Sequence, residues 1–377
     1  MILTVDNAEL RQVLACVMRV INPHVSIPIL SNVLITKDGD EYYIVANNTE
    51  TELSLKIAFH LISGTFAPIC INPTILSQMS GKLGNEQLTF TTDKSKVKIN
   101  YLTGSFSLPL FKAEEFPRIN NKLADDVTSF EIKSSFILPT LSSAATIVCN
   151  VNELRPMLSI VALDVVNDGI TIVATDGHKL YRRRHIPGAP FLSKGKPRIM
   201  FYKSTTNAIV KEAFATSDKI TIASDMRMLH ITSDDAHFIS VNIEGNYLNY
   251  DRVIPNEFKS QFTVNCKLLM SALQRVILVA CQTSKLVTLT LNEEQLTISS
   301  SDSDFCTDGN ESLDIKDSTT PNGFHIAFKG TSLIDLLRLM QSDEVVFKLN
   351  NSSQAAIIVE NDPNSEILTL LMPCSDN

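Results

Sequence analysis

Asp176, Gly177 and His178 stand together after an apolar run, and a carboxylate two residues from an imidazole is a pairing that can do chemistry. It could hold a metal ion, or supply a base with its orienting acid, and Asp302 or Asp304 could complete a hydrolytic set. The surroundings argue against both uses. A metal site needs a second cluster of His, Cys or Glu at ligand spacing, and none follows. The seven cysteines, at 16, 70, 149, 266, 281, 306 and 374, are scattered without a CxxC pair. GxSxG, HExxH and glycine-rich phosphate loops are missing too. The triplet is therefore not expected to catalyse, and no metal or cofactor is expected.

What must position this triplet is a unit that recurs three times. Apolar helix-like runs occur at Val5–Ile21, Ile132–Val148 and Val264–Ala280, spaced by about one domain length. A hairpin follows each: Asn32–Asn47 around Asp38-Gly39, Val161–Asp176 around Asp168-Gly169, and Val287–Ser301 around Glu293-Glu294. Second helices are expected at Pro73–Leu83, Lys203–Ser217 and Lys329–Gln341. Period-two runs such as Val97, Ile99 and Tyr101 predict strands. Polar, proline-containing stretches at Phe116–Asp126 and Ile254–Gln261 mark boundaries, giving domains 1–120, 127–253 and 254–377. The expected class is α+β, with two helices packed on antiparallel sheet in each of three tandem copies.

Such a strip leaves two sheet edges bare, and bare edges need covering or pairing. Head-to-tail pairing of the first and third copies would close two chains into a ring. Phe106 and Leu108 in the first copy, with Ile277 and Leu278 in the third, are the apolar candidates for that seam.

The net charge of −8 argues at first against a nucleic-acid partner. Its distribution changes that reading. The six helix candidates hold ten Lys/Arg against four Asp/Glu, so the helices are +6 and the remainder −14. Acid-poor helices on an acidic body suit one surface to phosphate while the outside repels it. No apolar run approaches the ~20 residues of a membrane span, and the start MILTVDNAEL lacks a secretory pattern, so a cytoplasmic protein is expected.

The copies differ where the triplet sits. After the second hairpin strand the first copy reads VANNTETELSLKI and the third ISSSDSDFCTDGN, whereas the middle copy reads Val173-Ala174-Thr175-Asp176-Gly177-His178-Lys179-Leu180-Tyr181. With SIPILSNVLI at 26–35, Leu154-Arg155-Pro156-Met157-Leu158-Ser159, the YDRVIP run at 250–255 and a Met-Pro near the C-terminus, the chain resembles the bacterial sliding clamp, the beta subunit of DNA polymerase III. The likeness runs along essentially the whole length.

The resemblance implies a homodimeric processivity ring around double-stranded DNA, bound without regard to sequence. It implies a groove that takes a short peptide from the polymerase III alpha subunit, the clamp loader delta subunit, and other clamp-binding polymerases and repair proteins. Carried over by position, that groove comprises Leu158, Thr175, Gly177, His178, Lys179, Leu180, Arg252, Val253, Met372, Pro373 and Cys374. His24, Asn152 and Lys203 match positions that touch DNA in relatives. The chain departs from the family pattern at Leu248, where many relatives have Pro, and at Asp251, where a basic residue is frequent. His24 replaces a frequent Arg, and Cys374-Ser375-Asp376-Asn377 replaces an apolar or basic ending.

Overall fold

The computed structural model describes residues 1–21, 27–120, 122–124, 127–150, 154–166, 169–185, 198–203, 205–206, 213–225, 227–241, 243 and 245–375. It is α+β, with helices packed on antiparallel sheets. Strands and helices are numbered in chain order.

One eight-stranded sheet runs from β6 (Ile69–Ile71) through β2 (Val33–Asp38), β3 (Glu41–Asn47), β4 (Thr51–Ile57), β17 (Ala236–Val241), β16 (Met228–Thr232) and β15 (Lys219–Ser224) to β10 (Thr128–Lys133). A second runs from β14 (Arg198–Tyr202) through β11 (Ile160–Val166), β12 (Gly169–Thr175), β13 (Lys179–His185), β25 (Ile367–Leu371), β24 (Ala356–Glu360) and β23 (Glu344–Leu349) to β18 (Ser260–Asn265). Each contains the junction of two sequence copies: β4 pairs with β17, and β13 with β25. Contacts accordingly gather the chain into two compact units, one centred on 1–139 and 204–244, the other on 140–190 and 245–377.

Two smaller sheets remain. In the first unit β5 (His60–Ser63), β1 (Ile2–Asp6), β7 (Gln87–Thr92), β8 (Lys96–Tyr101) and β9 (Gly104–Pro109) lie in that order, with β9 at an edge. In the second unit β21 (Thr307–Asp314), β20 (Gln295–Asp302), β19 (Leu286–Asn292) and β22 (Phe324–Lys329) lie in that order, with β21 at an edge.

The alternation read from the sequence is the sheet's own geometry. Tyr181, Thr369, Ile358, Phe347 and Phe262 form one transverse row of the second sheet, and all are at most 1% exposed. Phe262 and Phe347 stack with ring centroids 4.8 Å apart, and full burial of such a side chain stabilises by roughly 2–3 kcal/mol. The next row, Arg182, Leu368, Val359 and Val346, points to the opposite face and is only partly covered.

The helices are α1 (Asn7–Val17), α2 (Pro73–Ser80), α3 (Ser134–Ile147), α4 (Cys266–Val276) and α5 (Gly330–Leu337). Strand-to-helix turns are set by short polar caps. Asp6 accepts the Ala8 amide at 2.7 Å, Asn72 the Thr74 amide at 2.9 Å and Asn265 the Leu268 amide at 2.9 Å. Of the helix expected over Lys203–Ser217, residues 204 and 207–212 lie outside the described residues; Lys203, Thr205 and Thr206 are helical, and 213–216 are turn. The third copy's first helix ends at Val276 and continues as a 3-10 turn, Ile277–Val279, which turns Leu278 outward at 73% exposed. No helix among the described residues is long and apolar enough to cross a membrane.

The positive helices are partly neutralised by acids on neighbouring elements or on the helix itself. Lys267 pairs with Asp343 at 2.7 Å, Arg275 with Glu311 at 2.5 Å and Arg338 with Asp335 at 3.7 Å. These exposed pairs are worth little in stability, roughly 0–1 kcal/mol each.

Candidate functional site

The middle-copy triplet occupies the turn between β12 and β13, entirely within the second unit. Its polar side chains fold the turn. Thr175 Oγ1 donates to the Lys179 carbonyl at 2.8 Å and accepts the Gly177 amide at 3.0 Å. Asp176 Oδ1 accepts the amides of His178 at 2.9 Å and Lys179 at 2.8 Å. Gly177 has φ +91°, a conformation that favours glycine, and a Cβ there would meet the Leu158 methyls at 3.7 and 3.8 Å. The acid–imidazole pair thus has a structural use, because the carboxylate is spent on backbone amides. Among the described residues no cluster of His, Cys, Asp or Glu could hold a metal.

Two further segments reach this turn, and a third lies on β11. Leu158 sits in the 3-10 helix Pro156–Ser159 and is 9% exposed. The C-terminal segment is tied on by backbone bonds: Met372 N donates to the His178 carbonyl and Cys374 N to the Ala327 carbonyl, each at 2.8 Å. Residues 245–253 cross the outer side of β11, anchored by Tyr247 Oη to the Ile160 carbonyl at 3.3 Å and by Tyr250 Oη to Asp164 Oδ2 at 2.7 Å. They present Arg252 and Val253, both exposed. These segments leave apolar side chains exposed: Val253 is 54% exposed, Leu248 41% and Met372 40%, whereas Leu180 on the turn is covered.

Lys179 behaves differently from its neighbours. Its side chain points to the helix face and bonds Asp335 Oδ2 of α5 at 2.7 Å. Only its backbone remains at the turn. Lys203 is half-buried and its ammonium donates to the Val148 carbonyl at 3.1 Å, capping the end of α3. His24 and Asn152 lie outside the described residues. At the expected seam Leu108 is 3% exposed, Phe106 and Ile277 are half-buried, and Leu278 is exposed. Sequence reasoning missed Asp335, Asp164 and Ala327, whose partners lie far along the chain. No local spacing marks them.

Comparison with known proteins bears on this arrangement. The family model for the DNA polymerase III beta subunit N-terminal domain matches residues 1–120, and that for its C-terminal domain matches residues 251–375. The chain belongs to the DNA polymerase III beta subunit family. These two matches cover well over half of it. The beta sliding clamp of Synechococcus elongatus is 23% identical over 97% of this chain and 96% of its own length. Among solved structures, the sliding clamp from Pseudomonas aeruginosa bound to griselimycin aligns with a TM-score of 0.90 at 20% identity, covering 100% of this chain and 99% of that one. The Bartonella birtlesii clamp, also bound to griselimycin, has a TM-score of 0.90 at 24% identity with the same coverage. The beta subunit is a non-catalytic processivity factor, which accords with an Asp176 carboxylate already engaged by its own turn.

Proposed function

We propose that two copies of this chain close head to tail into a ring around duplex DNA and slide along it without sequence preference. The observation that carries this reading is a pair of half-sheets with free edges. The two eight-stranded sheets correspond strand for strand, each joining four strands of one copy to four of the next. The sheet ending in β21 and the sheet ending in β9 are the two halves of a third, and among the described residues neither edge has a partner strand. Pairing β21 of one copy with β9 of a second completes it, and repeating the operation closes the assembly.

The register follows from the two completed sheets. Leu53 faces Phe238 and Tyr181 faces Thr369 across their junctions. Carried to the third junction, Phe106 falls opposite Gly309 of a second copy and Leu108 opposite Thr307. Charge is complementary: β8 carries Lys96 and Lys98 behind its edge, while β21 carries Asp308, Glu311 and Asp314.

In this reading the chain comprises three domains, 1–120, 127–253 and 254–377, and works in the cytoplasm. A clamp converts a polymerase that dissociates into one that stays, by a topological link and a tether. The tether is the β12–β13 turn with Leu158, Leu180, Arg252, Val253 and Met372, docking an extended peptide from the polymerase III alpha subunit. The loader delta subunit and other clamp-binding polymerases and repair proteins take turns there. Exposed apolar side chains together with the exposed Arg252 guanidinium suit modest, exchangeable affinity, and a tethered contact of roughly micromolar strength suffices at the resulting effective concentration. Helix cations should touch phosphate weakly, since base contacts would make the ring pause. Light scattering at micromolar concentration tests the ring: a species of two chains is expected, and a persistent monomer would refute it.

A further inference from the structure

The correspondence between the two eight-stranded sheets extends to the docking turn itself. Ladder register fixes the equivalence. Asn47 faces Glu52 across β3 and β4 as Thr175 faces Leu180 across β12 and β13. Val241 N donates to the Glu50 carbonyl at 2.8 Å, as Met372 N does to the His178 carbonyl. Leu30 sits in the 3-10 helix Pro28–Ser31 as Leu158 does in its own. Thr49, with φ +79°, holds the left-handed place of Gly177. Val241 is 49% exposed where Met372 is 40%. The first unit thus contains a second copy of the docking frame.

One substitution changes its chemistry. Where the second sheet has Leu180, the first has Glu52, a carboxylate only 1% exposed. A buried charge demands partners, and Glu52 finds them in the chain that leaves the first copy. It accepts Arg118 Nε at 2.9 Å, a second Arg118 nitrogen at 2.8 Å, the Ile119 amide at 3.0 Å and Asn47 Nδ2 at 3.3 Å. Asn47 Nδ2 also donates to the Pro117 carbonyl at 3.0 Å. Residues 117–119 are therefore bound by their own backbone and side chain over the outer-face position that Leu180 occupies in the other sheet. Leu180 offers no charge to its counterpart segment, and Arg252 stays exposed.

We propose that Glu52 keeps the first sheet's docking frame shut by binding the chain's own 117–119 segment, so that each chain offers one peptide site instead of two. The inference rests on the docking role proposed for the β12–β13 turn. A tethered segment acts at an effective concentration of the order of millimolar, which excludes any partner peptide that binds at micromolar strength only after displacing it. Glu52 is a specificity-determining residue in this account: it decides which of two equivalent frames is available.

Titration calorimetry of the full chain with griselimycin, the ligand of the two solved clamps, tests this, with trypsin cleavage after Arg118 as a second readout. Wild type should bind one equivalent per chain, and Arg252→Ala with Met372→Ala should abolish it. Glu52→Leu should bind two equivalents and be cut after Arg118 at least tenfold faster. Should Glu52→Leu fail to fold, Glu52→Gln removes the charge with a neutral isostere and keeps the Arg118 bond as the cleavage readout. One equivalent in a folded variant whose Arg118 bond is readily cut overturns the proposal while leaving the docking role intact. Wild-type binding that is absent, or is indifferent to Arg252 and Met372, refutes the docking role and the inference with it.

Discussion

The ammonium of Lys179 lies 2.7 Å from the Asp335 carboxylate, which fastens the first residue of β13 to α5. The lysine side chain is 8% exposed and Asp335 38%, so the pair is only partly screened. Asp335→Ala leaves a nearly buried ammonium without its counterion and should cost about 1–3 kcal/mol. Thermal unfolding should shift downward while peptide affinity, measured on folded protein, stays within twofold. A large affinity loss without destabilisation would return Lys179 to the peptide's contact set.

Docking should depend on exposed groups instead. Arg252→Ala and Met372→Ala, combined, are expected to weaken binding of an alpha-subunit peptide by roughly 30-fold or more, since anchor truncations of this kind cost about 1–2 kcal/mol each. Fluorescence anisotropy of a labelled peptide reads this directly. Unchanged binding would move the site elsewhere on the chain.

The threefold repeat was legible because its signals are local: apolar helix runs and hairpin turns recur in order. The divergent Thr175–Tyr181 stretch was legible for the same reason, as the copy that differs. Lys179 was not, because its direction depends on the strand's two-residue alternation and on Asp335, 156 positions away. Its place in the sequence of a binding turn says nothing about which face it serves. Glu52 was likewise invisible as a relative of Leu180, since only ladder register reveals that the two share a position. The sheets that each join two copies, around which contacts gather, were not legible either, since composition does not reveal which strands pair.

Acid should loosen the first unit through Asp225. Its side chain is fully buried, which pushes the carboxyl upward, but the amides of Ala124, Met228 and Arg227 outweigh that and hold it below its ordinary value of 3.8. A depressed folded value means that the unfolded chain binds the proton more tightly. The contribution is therefore complete above about pH 4 and is lost as pH falls through the folded value. Asp225→Asn should cost about 1–3 kcal/mol near neutrality and shrink the difference in urea stability between pH 7 and pH 3. An undiminished difference would assign the acid sensitivity to other carboxylates.

The seam should be lockable at one defined pair. At the corresponding junction Thr51 Oγ1 and Ser240 Oγ are 3.5 Å apart, so cysteines at the matching positions of two chains should come within disulfide reach. Leu108→Cys with Thr307→Cys is expected to give a covalent dimer under mild oxidation, seen on non-reducing gels, with neither single substitution doing so. Crosslinking that ignores which residues are replaced would refute the register.

Encirclement of DNA decides where the protein stays bound. That same double variant, oxidised after loading, can be challenged with high salt on nicked circular DNA and on linear DNA with free ends. A closed ring should stay on the circle and run off the line, with retention restored when the ends are blocked. Equal retention on open-ended linear and circular DNA would mean that the protein holds DNA by surface affinity, and the topological link would be contradicted.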